Sequence, residues 1–204
     1  MRLHDALAAE VDALAARYGQ PTVVEAAIPD AAFDPLTKTD RFGEVCMVIR
    51  RPDGHLLTAR KTYYPPETFR LLTGGIAHGE PIEAALLREV EEETSLAVTV
   101  RRFLAVIGYR APQTPPGLHA FYTFAFLLDE RGGTLAVQDP EERVAAFGEV
   151  APVELLAMAE NLETIAPRHD PEIGGNWQSW GSFRAVVHRV VAKALDVPGA
   201  SGRA

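Results

Sequence analysis

Apolar residues recur at helical spacing near both ends of the chain and gather into strand-like runs through its middle. Leu3, Leu7, Val11 and Leu14 predict an amphipathic helix that stops near Gly19-Gln20-Pro21. Residues 22–38 begin β-prone and then carry Pro29, Asp30, Asp34 and Pro35, which favour an irregular connection. Two apolar runs, 44–51 and 55–61, flank Pro52-Asp53-Gly54. Proline presets φ and glycine accepts positive φ, so these runs read as a hairpin. Residues 61–69, with Tyr63, Tyr64, Pro65 and Pro66, read as a loop delivering the chain to a glycine loop and then a helix over about 80–94. Strands follow at 98–109 and 120–128, separated by a proline-rich loop at 111–117. Arg131-Gly132-Gly133 reads as a turn, 134–137 and 144–150 as a strand around an acidic loop, and 152–162 as a helix. Phe183, Val187, Val190, Val191 and Ala194 predict a C-terminal helix before a Gly/Ser/Ala tail.

The polar positions of the 80–94 helix break the usual pattern. Counting 100° per residue from Ile82, Glu89, Glu92 and Glu93 share an arc of about 100°, with Ile82 inside it and Leu86 beside it. An ordinary surface helix keeps its charges away from the aliphatic stripe, because clustered carboxylates near a core repel and lose hydration. A divalent cation removes that conflict, since Mg²⁺ prefers oxygen ligands and is commonly completed by phosphate oxygens. Glu83 and Glu91 fall outside the arc and read as solvated charges. Just upstream, Gly74, Gly75 and Gly79 allow close backbone approach, Glu80-Pro81 suits a helix start, and Arg88 is placed to pair with a neighbouring acid. Residues 74–96 therefore read as a divalent-cation site for a phosphorylated substrate.

Composition narrows the setting. At 204 residues, with 47% apolar and 24% charged positions and no compositional break, the chain reads as one domain: a core over about 40–162, an N-terminal helix and connection over 1–39, and a C-terminal helical extension over 163–204. A net charge of −8 argues against a nucleic-acid polymer or an anionic membrane as partner. The single Cys46 excludes an intrachain disulfide and a cysteine metal cluster, and reads as a buried small hydrophobe. Acids at Asp5 and Glu10 speak against a secretory signal, and no apolar stretch reaches spanning length, so a soluble cytoplasmic protein is expected.

The order Gly74, Glu80, Arg88-Glu89, Val90, Glu92-Glu93, Ser95, Leu96 resembles the box of the Nudix hydrolases, with Ser95 standing where the box has its final glycine. A serine in left-handed conformation there would cost on the order of 1 kcal/mol, without touching the ligand set. The resemblance implies an α/β/α sandwich with a mixed sheet, here flanked by terminal helices. It also implies hydrolysis of a diphosphate linkage using Mg²⁺ or Mn²⁺. Carried over by position, Glu89, Glu92, Glu93 and the Gly74 carbonyl resemble the metal ligands, Arg88 the residue that orients them, and Glu80 the glutamate that secures loop and helix. The general base is expected at Glu93 or at a loop acid, Glu141 or Glu142.

Substrate selection is expected to lie outside the box. Arg60, Lys61 and Arg70 are placed to bind phosphates, and Tyr63, Tyr64 or Phe69 to stack on a base. Packing is the ordinary reading for each, as it is for Trp177 and Trp180. His78 reads as solvent-facing. Pro112 stands where ADP-ribose hydrolases of the family tend to carry proline, so a nucleoside diphosphate derivative such as ADP-ribose leads, ahead of a nucleoside triphosphate. A catalytically silent nucleotide-sensing module is the third reading. The small phosphorylated substrate is the expected partner, and the terminal helices leave room for a homodimer.

Overall fold

The computed structural model describes residues 3–198. In chain order these form α1 (Asp5–Tyr18), β1 (Thr22–Ala27), β2 (Arg41–Arg50), β3 (Leu56–Lys61), β4 (Arg70–Ala77), α2 (Ile82–Thr94), β5 (Leu96–Arg110), β6 (Phe121–Gly133), β7 (Val144–Val150), α3 (Leu155–Glu163), the short β8 (His169–Asp170) and β9 (Gly175–Asn176), and α4 (Trp177–Ala194). Single 3-10 turns sit at Pro140–Glu142 and Pro152–Glu154. The Gly/Ser/Ala tail expected after α4 lies outside the described residues. No helix among the described residues is long and apolar enough to cross a membrane.

Seven strands make one mixed sheet in the order β1-β5-β6-β2-β4-β3-β7. The pairs β1–β5 and β2–β6 are parallel and the other neighbouring pairs antiparallel, and β8 and β9 form a separate small ladder. The turn at Pro52-Asp53-Gly54 forms as expected, closed by Arg51 N–H to His55 O at 2.8 Å with Gly54 at φ 94°. The hairpin it was expected to close does not continue. After the Arg50–Leu56 pair β4 inserts between β2 and β3 and takes over the pairing of both. The expected glycine loop is correspondingly strand, with Gly74 and Gly75 paired to Val45 and Glu44. Arg131-Gly132-Gly133 likewise extends β6, pairing with the start of β5, and 134–137 is irregular.

Helices cover both faces, which gives the expected α/β/α sandwich. Residues 45–49 of the central β2 are fully buried and alternate between two cores. Val45, Met47 and Ile49 pack with Leu7, Val11 and Leu14 of α1 and with Ile82, Leu86 and Val90 of α2. Cys46 and Val48 pack with Leu155 and Leu162 of α3 and with Trp177, Trp180, Phe183 and Val187 of α4. This two-sided burial is why β2 reads as a continuous apolar run. Each such side chain contributes roughly 1.5–3 kcal/mol by leaving water.

The terminal helices are tied to the elements that carry the site. Glu10 of α1 accepts the Ile82 N–H at 2.6 Å, satisfying a free donor at the start of α2, while Arg17 and Tyr18 both bond Glu83. Glu83 is thus a helix-packing residue rather than the solvated charge expected. On the other face, buried His188 of α4 accepts the Leu71 N–H of β4 at 3.0 Å, and its Nδ1 lies 2.8 Å from the Arg184 carbonyl. His188 therefore carries its proton on Nδ1. Burial holds its pKa down to about 4.

Candidate active site

Two of the three acids on the expected inward arc of α2 are buried, and Glu92 is half-buried. Glu89 and Glu93 are 5% and 1% exposed, whereas Glu91 faces solvent beside Gln138. Burying two carboxylates is possible here because β4 leaves space for them: a Cβ on Gly74 would lie 2.0 Å from the Glu89 carboxyl carbon. Arg88 organises the rim. Its guanidinium holds Glu80 through two bonds of 2.8 and 3.0 Å, and reaches Glu89 at 2.9 Å, Glu92 at 2.8 Å and the Gly75 carbonyl at 3.0 Å. Glu80 in turn accepts the Ala77 N–H at 3.0 Å, so the end of β4 and the middle of α2 share one clamp.

A third carboxylate arrives from the segment before β7. Ala136 N–H bonds the Thr94 carbonyl, and Gln138 and Asp139 N–H bond the Glu92 carbonyl, so this segment satisfies the free acceptors at the end of α2. Asp139 then caps the Pro140–Glu142 turn by accepting the Glu141 N–H at 2.8 Å. The turn lowers Glu142 onto the cluster. Oxygens of Glu89, Glu93 and Glu142 all lie within 4.8 Å of one another.

Electrostatics within the cluster are strained in a definite direction. Burial pushes the Glu93 carboxyl up to about 7, against the pull of Lys61 and Arg70, and burial also raises Glu89. Burial opposes the charge of Glu142 as well, but the neighbouring Lys61 ammonium outweighs it and keeps Glu142 below its ordinary value. Lys61 Nζ is 2.7 Å from Glu142 and 3.0 Å from Glu93 Oε1. The latter contact is out of hydrogen-bond alignment, so Glu93 Oε1 is buried without a hydrogen-bond partner among the described residues.

A cleft of about 260 Å³ opens over Gly74, Gly75, Arg88, Glu89, Glu142 and Lys61. Several expected site residues lie elsewhere. Glu92 stays at the rim on Arg88, and Glu141 is exposed and outside the cluster. Arg60 points across β3 from Lys61 and packs over the Phe69 ring at 5.9 Å, lining neither this cleft nor its neighbour. Tyr64 is no free stacking platform, being buried against Trp180 and Trp177 with its hydroxyl accepting from Arg70 Nε at 2.7 Å. Trp177 and Trp180 are core residues, and His78 is exposed, as read. Pattern reading passed over Arg41, which lines the cleft, because a lone arginine at a strand start carries no periodic signal. A hint existed in Gly75, where a Cβ would sit 2.3 Å from the Arg41 guanidinium.

Fold and cleft together define an α/β/α protein with clustered carboxylates beside a glycine-bearing strand. A sequence model of the NUDIX domain matches residues 40–174, and the chain belongs to the NUDIX family. It is similar to the ADP-ribose pyrophosphatase of Methanocaldococcus jannaschii, 33% identical over 100 residues, covering 49% of this chain and 57% of that protein. It is also similar to the NAD-capped RNA hydrolase NudC of Photorhabdus laumondii, 30% identical over 102 residues, covering 50% of this chain and 37% of that one. The chain thus spans less than two thirds of either relative. Among solved structures, a MutT NUDIX hydrolase from Burkholderia pseudomallei matches at TM-score 0.42 and 26% identity, over 55% of this chain and 84% of that one. An ADP-ribose pyrophosphatase from Streptococcus suis matches at TM-score 0.46 and 15% identity, over 77% of this chain and 93% of that one.

Proposed function

We propose that this chain is a pyrophosphohydrolase that cleaves the diphosphate linkage of a nucleoside diphosphate derivative, ADP-ribose being the leading class, with Mg²⁺ or Mn²⁺ held by Glu89 and Glu93 and faced by Glu142. The observation that carries the reading is the gathering of those carboxylate oxygens within 4.8 Å, two of the three side chains being buried. Like charges at that spacing with one lysine between them call for a further cation. Glu93 Oε1, which has the Lys61 ammonium at 3.0 Å but no aligned hydrogen bond, and the all-oxygen donor set fit a hard divalent ion. Gly74, whose carbonyl the resemblance assigns as a ligand, lines the same cleft, while Glu92 stays near as an acid held on Arg88. When bound, the ion neutralises the diphosphate and polarises the phosphorus under attack.

The chain's own groups supply the rest. Glu142 is charged, half-buried and open to the cleft, so it is assigned as the base that takes a proton from the attacking water. Glu93 is too enclosed for that role and is assigned as a ligand. Water oxygen bonds to phosphorus, the bridging P–O bond breaks, and the departing phosphate keeps the bridging oxygen, which yields two monophosphates. Arg88 keeps Glu89 aimed at the cleft, and Lys61 balances the Glu93–Glu142 pair.

The test is phosphate-product release from a panel of ADP-ribose, other nucleoside diphosphate derivatives and nucleoside triphosphates, each with Mg²⁺, Mn²⁺ and EDTA. Metal-dependent turnover led by a diphosphate derivative is expected. Nucleotide binding without turnover on any member would leave the sensing module in its place.

A further inference from the structure

A second cavity, of about 160 Å³, adjoins the carboxylate cleft and shares Arg41, Lys61, Thr73, Gly74 and Gly75 with it. Its far wall comes from α4, with Arg184 and Trp180, and Arg184 lies beyond the residues that the NUDIX model matches. Lys38, Arg41, Lys61, Arg70 and Arg184 line the cavity, against the acids Asp34 and Glu44. Both Glu44 oxygens take Arg184 Nη1 at 2.7 Å, and Asp34 lies 3.6 Å from Lys38.

The excess charge is concentrated on buried guanidinium groups. Arg70 is 4% exposed, and its hydrogen-bond partners are all neutral: the Tyr64 hydroxyl, the Leu71 carbonyl and the Thr73 hydroxyl. Glu93 and Glu44 act on it only through space, so its guanidinium carries a charge that no carboxylate bonds directly. Arg184 is 5% exposed and donates through Nη1 alone, leaving its Nε buried without a partner among the described residues. Arg41 spends Nε and Nη2 on Asp40 and lays Nη1 against Gly75, at the mouth between the two cavities.

We infer that this cavity is a subsite for a terminal phosphate of the substrate, beyond the diphosphate that is cleaved; the inference rests on the hydrolase reading above. A nucleobase needs acceptors as well as donors opposite its edges, whereas five cationic side chains face two acids along this lining. A carboxylate carries one charge, whereas a phosphomonoester carries close to two and three strong acceptor oxygens, which suits several forked guanidinium donors. Within the ADP-ribose-like nucleoside diphosphate derivatives, the preferred substrate is then one whose far end carries a phosphomonoester.

Two arms test this. In the first, EDTA-treated protein is melted with inorganic phosphate, or with acetate at matched ionic strength. Without metal the glutamate cluster repels anions, so binding reports the arginine cavity. Phosphate should raise Tm saturably by about 2–4 °C and acetate should not. The shift should shrink in Arg41→Gln, whose guanidinium bonds only its neighbour Asp40, and in the neutralised pair Glu44→Gln/Arg184→Met. In the second arm, kcat/KM is compared for two diphosphates that differ only in a terminal phosphomonoester. Wild type should favour the phosphorylated one by about tenfold or more, and the ratio should fall toward one in both variants. No phosphate shift, a matching acetate shift, or equal kcat/KM in wild type overturns the subsite. Phosphate binding with no turnover of any diphosphate overturns the hydrolase reading instead and leaves the anion site standing.

Discussion

At the scale of single residues, the site depends on where side chains are absent as much as on where they are present. Gly74 is the clearest case, because any Cβ there occupies the space of the Glu89 carboxyl. Gly74→Ala should therefore leave the circular dichroism spectrum unchanged while lowering turnover on the order of 10²-fold, as expected when a ligand moves by about an ångström. Ser95 makes the opposite point. It ends α2 in left-handed conformation at φ 56°, the strain expected from the missing glycine, and its Oγ donates to the Ala136 carbonyl at 3.1 Å. Ser95→Gly should raise stability in urea unfolding by less than about 1 kcal/mol, since relief of strain is offset by the lost bond. The sequence made Glu89, Glu93, Arg88 and Glu80 legible through helical spacing and box order. It could not separate Glu141 from Glu142, because two adjacent acids in a 3-10 turn differ only in which one the Asp139 cap swings inward.

At the scale of elements, the helices α1 and α4 were readable from period alone, but strand partners were not. Apolar runs at 44–51 and 55–61 with a good turn between them satisfy every local rule for a hairpin, and the β4 insertion that separates them is a non-local choice. Gly74 and Gly75 masked β4 further, since glycine weakens a strand pattern and here marks a close approach of Glu89 and Arg41. The same logic governs the α3–α4 contact, where a Cβ on Gly181 would lie 2.2 Å from the Leu162 carbonyl. Gly181→Ala should lower stability by about 1–3 kcal/mol, read as a shift in urea midpoint. Docking of α4 on β4 also carries a pH dependence. His188 is neutral in the fold, with its pKa held down to about 4 by burial, and then by Arg70 and Arg184, against an ordinary 6.5. Unfolded chain takes up a proton first as pH falls, so this contribution is full above 6.5 and is lost progressively between 6.5 and 4. The loss is on the order of 3 kcal/mol. Urea midpoints of wild type should fall across that window more steeply than those of His188→Gln.

At the scale of the whole molecule, the sandwich brings together groups far apart in the chain: Lys61 from β3, Glu89 and Glu93 from α2, and Glu142 from the segment before β7. If these form a cation site, adding Mn²⁺ well above its dissociation constant should raise Tm by several degrees, and Glu93→Gln should abolish the rise. The box made the chemistry legible from sequence because its spacing is helical and local. The arginines of the adjoining cavity come from β2, β4 and α4, and only tertiary folding assembles them. The most direct test compares metal-dependent turnover of ADP-ribose, or of the best substrate from the panel, by Glu93→Gln, Glu142→Gln and Glu91→Gln. Loss of several kcal/mol of transition-state stabilisation predicts a fall on the order of 10²-fold or more for the first two, with Glu91→Gln near wild type. Equal activity in all three variants would contradict the assignment of the buried carboxylates to catalysis.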